Sequence, residues 1–255
     1  MGSIPFPDDP SRRKAVLVLT EHDIDKCSYE PGAGDILVNE EACVIRYPIT
    51  VEAQLPGALQ YIVDNSLARP GTLLVQSPYN RDVYDDATSA LQSFSVAKYM
   101  IFTKLCQHLG AQEVKVVQID LRIRTRTQTL DLRAEHPVAG GSIGVESEEL
   151  EKLRAQINIR SKFFGGRADV LGAEKLLKST GLISDPHMRN LLDLRREEPN
   201  QLFEHELSVS LSSEAKRNLK VAATLKIPSF VNLTADYNKS LREERDFSVT
   251  ISVRF

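Results

Sequence analysis

The chain closes on RDFSVTISVRF, residues 245–255, and this stretch decides how the fold is read. Phe247, Val249, Ile251, Val253 and Phe255 alternate with Ser248, Thr250, Ser252 and Arg254. Successive side chains of a β-strand project to opposite faces, so this rhythm describes a strand with one apolar and one wettable side. The same rhythm runs upstream. Leu207, Val209 and Leu211 alternate with Ser208 and Ser210, and Leu219, Val221, Ala223, Leu225 and Ile227 with Lys220, Thr224 and Lys226. Leu233, Ala235 and Tyr237 carry it past Pro228. Polar loops at Ser212–Arg217 and Asn238–Arg245 separate the runs, which predicts an antiparallel meander.

Working outward, Val117, Ile119, Leu121 and Ile123 face one way, with Gln118, Asp120, Arg122 and Arg124 on the other side. Leu130 and Leu132 predict a return strand. Leu153, Ala155, Ile157, Ile159 and Phe163 predict a further one, with Arg154, Arg160 and Lys162 among its outward residues. Short helices are expected near 170–180, stopped by Gly181, and near 186–197, opened by Asp185-Pro186.

The first part of the chain has a different character. Residues 1–13 hold three prolines and read as a loose leader. Ala15–Leu19 is a continuous apolar run, the mark of a strand covered on both faces. An alternating run from Cys43 to Ala53 predicts a half-buried strand, with Pro48 marking an edge or bulge. A short helix over 57–68 and a strand at Leu73–Val75 follow. Residues 82–109 give the longest helical pattern, with Ala90, Phe94, Ala97, Ile101, Leu105 and Leu109 on its apolar face. Asp85 and Asp86 would favour its N-terminus, and Gly110 its C-terminal stop.

The expected fold is therefore α+β: a long antiparallel sheet, mainly in the C-terminal half, packed against one long and several short helices. With no internal repeat or linker, residues 1–255 are read as one domain. It comprises the leader at 1–13, a mixed part at 14–110 and a mainly antiparallel β part at 111–255, with two short helices at about 170–197.

Composition narrows the function classes without choosing among them. Hydrophobic residues make up 42% of the 255 and charged residues 26%, which suits a globular core and excludes wholesale disorder. Net charge is −3, so attraction to nucleic acid or anionic membrane would need a local basic patch. Cys27, Cys43 and Cys106 are an odd, widely spaced set, which fits reduced thiols. The run after Arg12-Arg13-Lys14 is too short for a signal-peptide core, and nothing approaches the ~20 apolar residues of a membrane span. Cytoplasmic location is the expectation.

Each chemical motif has a plainer reading beside it. Gly140-Gly141-Ser142-Ile143-Gly144 fits G-x-S-x-G, with Asp169 or Asp185 and His205 following in hydrolase order. The preceding residues alternate with charges and do not form the apolar strand that a nucleophile elbow needs, so a flexible connection explains the glycines. Glu113-Val114-Lys115 with upstream Asp82, Asp85 and Asp86 matches the acidic-lysine pattern of metal-dependent nucleases, yet such triplets are common on half-exposed strands. His22, Asp23, Asp25 and Cys27 lack a second ligand pair, which favours a polar loop over zinc. No phosphate-binding loop of either glycine-rich type is present. No cofactor, metal or catalytic residue is therefore assigned.

The feature given most weight is a candidate basic binding stripe, Arg122, Arg124, Arg126, Arg154, Arg160 and Lys162. Arginines at alternate strand positions project together and suit phosphate, anionic lipid or an acidic partner. The competing reading is a solvated sheet face neutralised by Asp120 and Asp131. With no interleaved aromatics, nucleic acid is disfavoured. The leading functional expectation is a non-catalytic assembly or protein-interaction module that forms homo-oligomers or binds a partner through its amphipathic sheet. The alternatives are a pore-forming type of protein that inserts β-hairpins into membrane, and a hydrolase or nuclease.

Overall fold

The computed structural model describes residues 6–30, 33–49, 55–123, 126–131, 139–140, 145–157, 159–196, 202–228, 231 and 245–255. Its contacts divide the chain into two compact units, 1–93 with 214–243 and 94–213 with 244–255. Both are α+β, and the second is built on a wholly antiparallel sheet.

The first unit holds a four-stranded sheet in the order β2-β1-β3-β4, from β1 (Ala15–Thr20), β2 (Ala42–Tyr47), β3 (Leu73–Gln76) and β4 (Tyr84–Asp86). Strands β1 and β2 are parallel, and the crossover between them contains helix α1 (Glu21–Tyr29). Every residue from Ala15 to Leu19 is fully buried, as the continuous apolar run predicts. Val16, Val18 and Leu74 pack with Ala58 and Ile62 of helix α2 (Gly57–Asp64), while Leu17 and Leu19, of opposite parity, are also enclosed.

The second unit takes its helical core from α3 (Ala90–His108), whose residues from Phe94 onward belong to it. Its sheet follows the order β7-β6-β5-β10-β9, with β8 pairing a separate part of β5. The strands are β5 (Glu113–Ile123), β6 (Arg126–Asp131), β7 (Ala139–Gly140), β8 (Arg160–Lys162), β9 (Glu204–Ser210) and β10 (Arg245–Arg254). In β10 the predicted alternation holds residue by residue. Phe247, Val249, Ile251 and Val253 are buried, and Ser248, Thr250 and Ser252 are half-buried. In β5 the phase slips once. Val114 and Val116 are buried before the slip, Ile119 and Leu121 after it, and Val117 is the extra residue between the pairs Ile251–Val116 and Thr250–Gln118. A bulge of this kind puts two residues opposite one, so the inward parity switches from even to odd.

Four sequence expectations are corrected. Residues 153–163 do not form one strand: helix α4 (Val145–Gln156) is followed by the short β8. Leu150, Leu153 and Ile157 are all buried, a spacing of three and four that fits a helix face, and it coexists with the two-residue pattern. Leu219–Ile227 is likewise not a strand. Helix α7 (Ala215–Thr224) buries Ala215 and Ala222, contacts β1 and β3, and leaves Ala223 exposed. Its Ala, Lys, Arg and Leu content favours helix, and seven residues separate the two buried alanines.

Thirdly, His22–Cys27 lies on α1 instead of a loop, because Thr20 caps the helix by accepting from the Asp23 N–H at 3.2 Å. Fourthly, α3 starts at Ala90, and the segment carrying Asp85 and Asp86 is strand β4, held by the buried Tyr84. Gly110 ends α3 with φ +82°, and a Cβ there would stand 2.2 Å from the Gly166 carbonyl oxygen. The expected strand at Leu233–Tyr237 lies outside the described residues. Helices α5 (Val170–Ser179) and α6 (Pro186–Arg196) form where expected.

Candidate functional site

The wettable face of the second unit's sheet is built in rows, because residues opposite one another across strands share a face. One row runs Lys162, Glu113, Arg254, Glu204, from β8 through β5 and β10 to β9. The next runs Arg160, Lys115, Ser252, Glu206. Charge thus changes across this end of the sheet, positive at β8 and negative at β9. Arg160 is bonded to Glu113, and this bond holds the Glu113 carboxyl below its usual range, aided by the nearby charges of Arg254 and Lys162. Towards the other end one row is uncharged, with Thr250 opposite Gln118, and the next sets Ser248 opposite the carboxylate of Asp120.

The predicted basic stripe is distributed over this frame. Arg160 and Lys162 are exposed on β8. Arg122 is exposed on β5 opposite Asp246. Seven residues separate Lys115 from Arg122, roughly 20 Å of strand, with Gln118 and Asp120 between them. Arg154 stands on helix α4 and pairs with Glu151 at 3.3 Å. Arg126 opens β6, and Arg124 lies outside the described residues. The structure therefore brings Arg160 and Lys162 together on β8, with Arg122 farther along β5 and Arg154 on helix α4.

At the negative end stands β9, the last strand in the sheet's order. The bonds Leu211 N–H to the Phe247 carbonyl (2.7 Å) and Phe255 N–H to the Phe203 carbonyl (2.9 Å) fix its phase against β10. Odd-numbered residues of β9 therefore turn their backbone groups towards β10, and the even-numbered Glu204, Glu206, Ser208 and Ser210 turn theirs outward. Leu207 and Val209 point into the core and are buried.

Next to the positive end, β8 runs into Phe163-Phe164-Gly165-Gly166-Arg167. Phe164 is fully exposed at 110% of its reference area, and Leu171 is 82% exposed. The turn is firmly held. The Phe163 N–H donates to the Gln112 carbonyl at 2.8 Å, the Asp169 N–H to the His108 carbonyl at 2.7 Å, and Asp169 pairs with the His108 ring at 3.1 Å.

Inside the unit, sequence reasoning missed a buried ion pair. Lys98 stands on the core side of α3, one turn from Phe94 and from Phe102, where the expected positions were Ala97 and Ile101. Its ammonium meets Asp185 at 2.8 Å, with the two side chains 1% and 5% exposed, and also donates to the Ser213 hydroxyl at 3.1 Å. Asp185 in turn accepts from the His187 and Met188 N–H groups at 3.0 Å, capping α6. Burial pushes its carboxyl up. The Lys98 bond and these N–H groups outweigh that, and the net effect is a lowered pKa.

The remaining candidates are accounted for separately. Ser142 lies outside the described residues. His205 faces Val253 in the β9–β10 ladder. Asp82 pairs with the buried Arg13 at 2.9 Å, and Asp85 and Asp86 accept from Ser89 and Thr88. Among the described residues no cluster of three His, Cys, Asp or Glu could hold a metal. Cys27, Cys43 and Cys106 are buried free thiols, and burial pushes Cys43 up to about 12. In the first unit, a groove of about 320 Å³ opens between Phe6–Asp8 and the edge strand β2. No helix among the described residues is long and apolar enough to cross a membrane. Compared with known proteins, the chain matches no family model, no curated protein and no solved structure.

Proposed function

We propose that this protein is a non-catalytic assembly module that pairs with a second copy of itself through strand β9. The observation that carries the reading is the place of β9 at the end of its sheet, with no further strand beyond it among the described residues. A strand edge presents a row of backbone donors and acceptors that another strand can complete, and two copies related by a two-fold axis do so isologously.

The sequence of β9 favours one register. Antiparallel pairing centred on Leu207 sets Glu204 against Ser210 of the second copy and Glu206 against Ser208. All the outward-turned residues then lie opposite one another, as a continuous ladder requires. Glu206 then faces the Ser208 hydroxyl, and Glu204 faces Ser210, whose own hydroxyl donates to Asp246 at 3.3 Å. Moving the centre towards Glu206 would set Glu206 against its own copy, and like charges directly opposite are unfavourable. On the other face Leu207 would meet Leu207, with His205 beside Val209.

Sedimentation across a concentration series tests the reading, with Ser208→Pro as the decisive variant. Proline removes an outward N–H and leaves the β10 ladder intact, a placement that edge strands tolerate. The wild type is expected to dimerise as concentration rises, and Ser208→Pro to stay monomeric with an unchanged circular dichroism spectrum. A wild type that stays monomeric throughout, or a variant that dimerises equally, overturns the proposal.

A further inference from the structure

We infer that the turn from Arg160 to Leu171 is a docking element for anionic lipid surfaces. Three observations meet there. The first is geometry: exposure alternates from Arg160 through Lys162 to Phe164, so a guanidinium, an ammonium and an aromatic ring leave the protein on the same side. The second is charge. From Arg160 to Leu171 the chain carries three basic residues, Arg160, Lys162 and Arg167, and one acidic residue, Asp169, although its net charge is −3.

The third is rigidity. Gly165 has φ +74° and a Cβ there would stand 2.6 Å from the Gln112 side chain, while Gly166 seals against Gly110. Together with the Phe163–Gln112 and Asp169–His108 bonds, this fixes the loop that carries Phe164. Held in water by a fixed turn, the Phe164 ring gains hydrophobic stabilisation only by entering an apolar layer.

An anionic bilayer uses every part of this element. Aromatic rings settle at the headgroup boundary, and basic residues within a Debye length of the surface are drawn to anionic lipid. A polyanion without an apolar layer would engage Arg160, Lys162 and Arg167 and leave Phe164 hydrated. A bilayer also needs no matching pocket on the protein. Leu171, at the start of α5, is also exposed. This lipid reading concerns a surface loop and is independent of pairing through β9.

The chain has no tryptophan, so Phe164→Trp creates a lone reporter at the site. Its emission is expected to shift blue with phosphatidylcholine–phosphatidylserine vesicles and to stay unchanged with phosphatidylcholine alone. Co-sedimentation of the otherwise native chain with the same vesicles should weaken in Phe164→Ala. Lys162→Ser and Arg167→Ser should each lower partition about fivefold, with raised salt acting in the same direction. The inference fails if the folded variant shows no shift with anionic vesicles, if neutral vesicles shift it equally, or if a single-stranded oligonucleotide shifts it and vesicles do not.

Discussion

Strands β1 and β10 are both central in their sheets, and they solve different burial problems. In β1 every residue from Ala15 to Leu19 is fully buried, so both faces of its sheet are covered. In β10 burial alternates without a break from Phe247 to Val253, so one face meets the core and the other stays partly wet. The difference teaches where function can reside. A sheet enclosed on both sides has only its edges to offer, whereas the second unit's sheet offers a polar face, a charged end and the strand β9.

Charge inside the second unit should give the largest response. Lys98→Ala strands a buried carboxylate and should cost about 3–5 kcal/mol in denaturant unfolding, with Lys98→Met plus Asp185→Leu recovering most of the loss. If the single variant costs under about 1 kcal/mol, the pair is not enclosed as the geometry has it. Since the Asp185 pKa is lowered in the folded chain, the pair's contribution is complete above the ordinary carboxyl value of 3.8 and is lost as pH falls below it. Stability of Asp185→Asn should consequently fall less steeply than that of the wild type on acidification.

Neighbouring positions give the next response and address the two strands directly. Leu17→Ala in β1 and Ile251→Ala in β10 should each cost about 2–5 kcal/mol. Val18→Ala, beside Leu17 but on the opposite face, should still cost about 2 kcal/mol, since full burial of a valine is worth about that much. Thr250→Ala, beside Ile251, should stay within about 0.5 kcal/mol. Equal losses at Ile251 and Thr250 would erase the distinction between the sheets. A comparably small effect belongs elsewhere on the outer face: Arg160→Ala breaks its pair with Glu113 and should change stability by less than about 1 kcal/mol.

Much of this fold was legible in the sequence, and the failures have physical causes. The periodicity of β10 and the apolar run of β1 were read correctly, because strand-favouring Val, Ile, Phe and Thr fill β10 and a five-residue apolar run is too short for a helix. Leu153–Ile157 and Leu219–Leu225 satisfied both a two-residue and a 3.6-residue spacing, and helix-favouring neighbours decided them. The bulge at Val117 was visible only as two consecutive valines. Lys98 could not be placed on the core face, since a lysine is buried only when a distant partner such as Asp185 receives it, and that meeting is tertiary. The cluster of Arg160 and Lys162 was legible as a basic row. Its joining to Phe164 was not, because that depends on how the Gly165-Gly166 turn seats against Gly110 and Gln112.

Hydrogen exchange at β9, followed as protein concentration is raised, tests the central claim most directly. Amides of Leu207 and Val209 point at β10 and should be protected at every concentration. Amides of Ser208 and Ser210 point outward and should gain protection only as dimer forms. Protection that ignores concentration, or that makes no distinction between odd and even residues of β9, would contradict pairing through this edge.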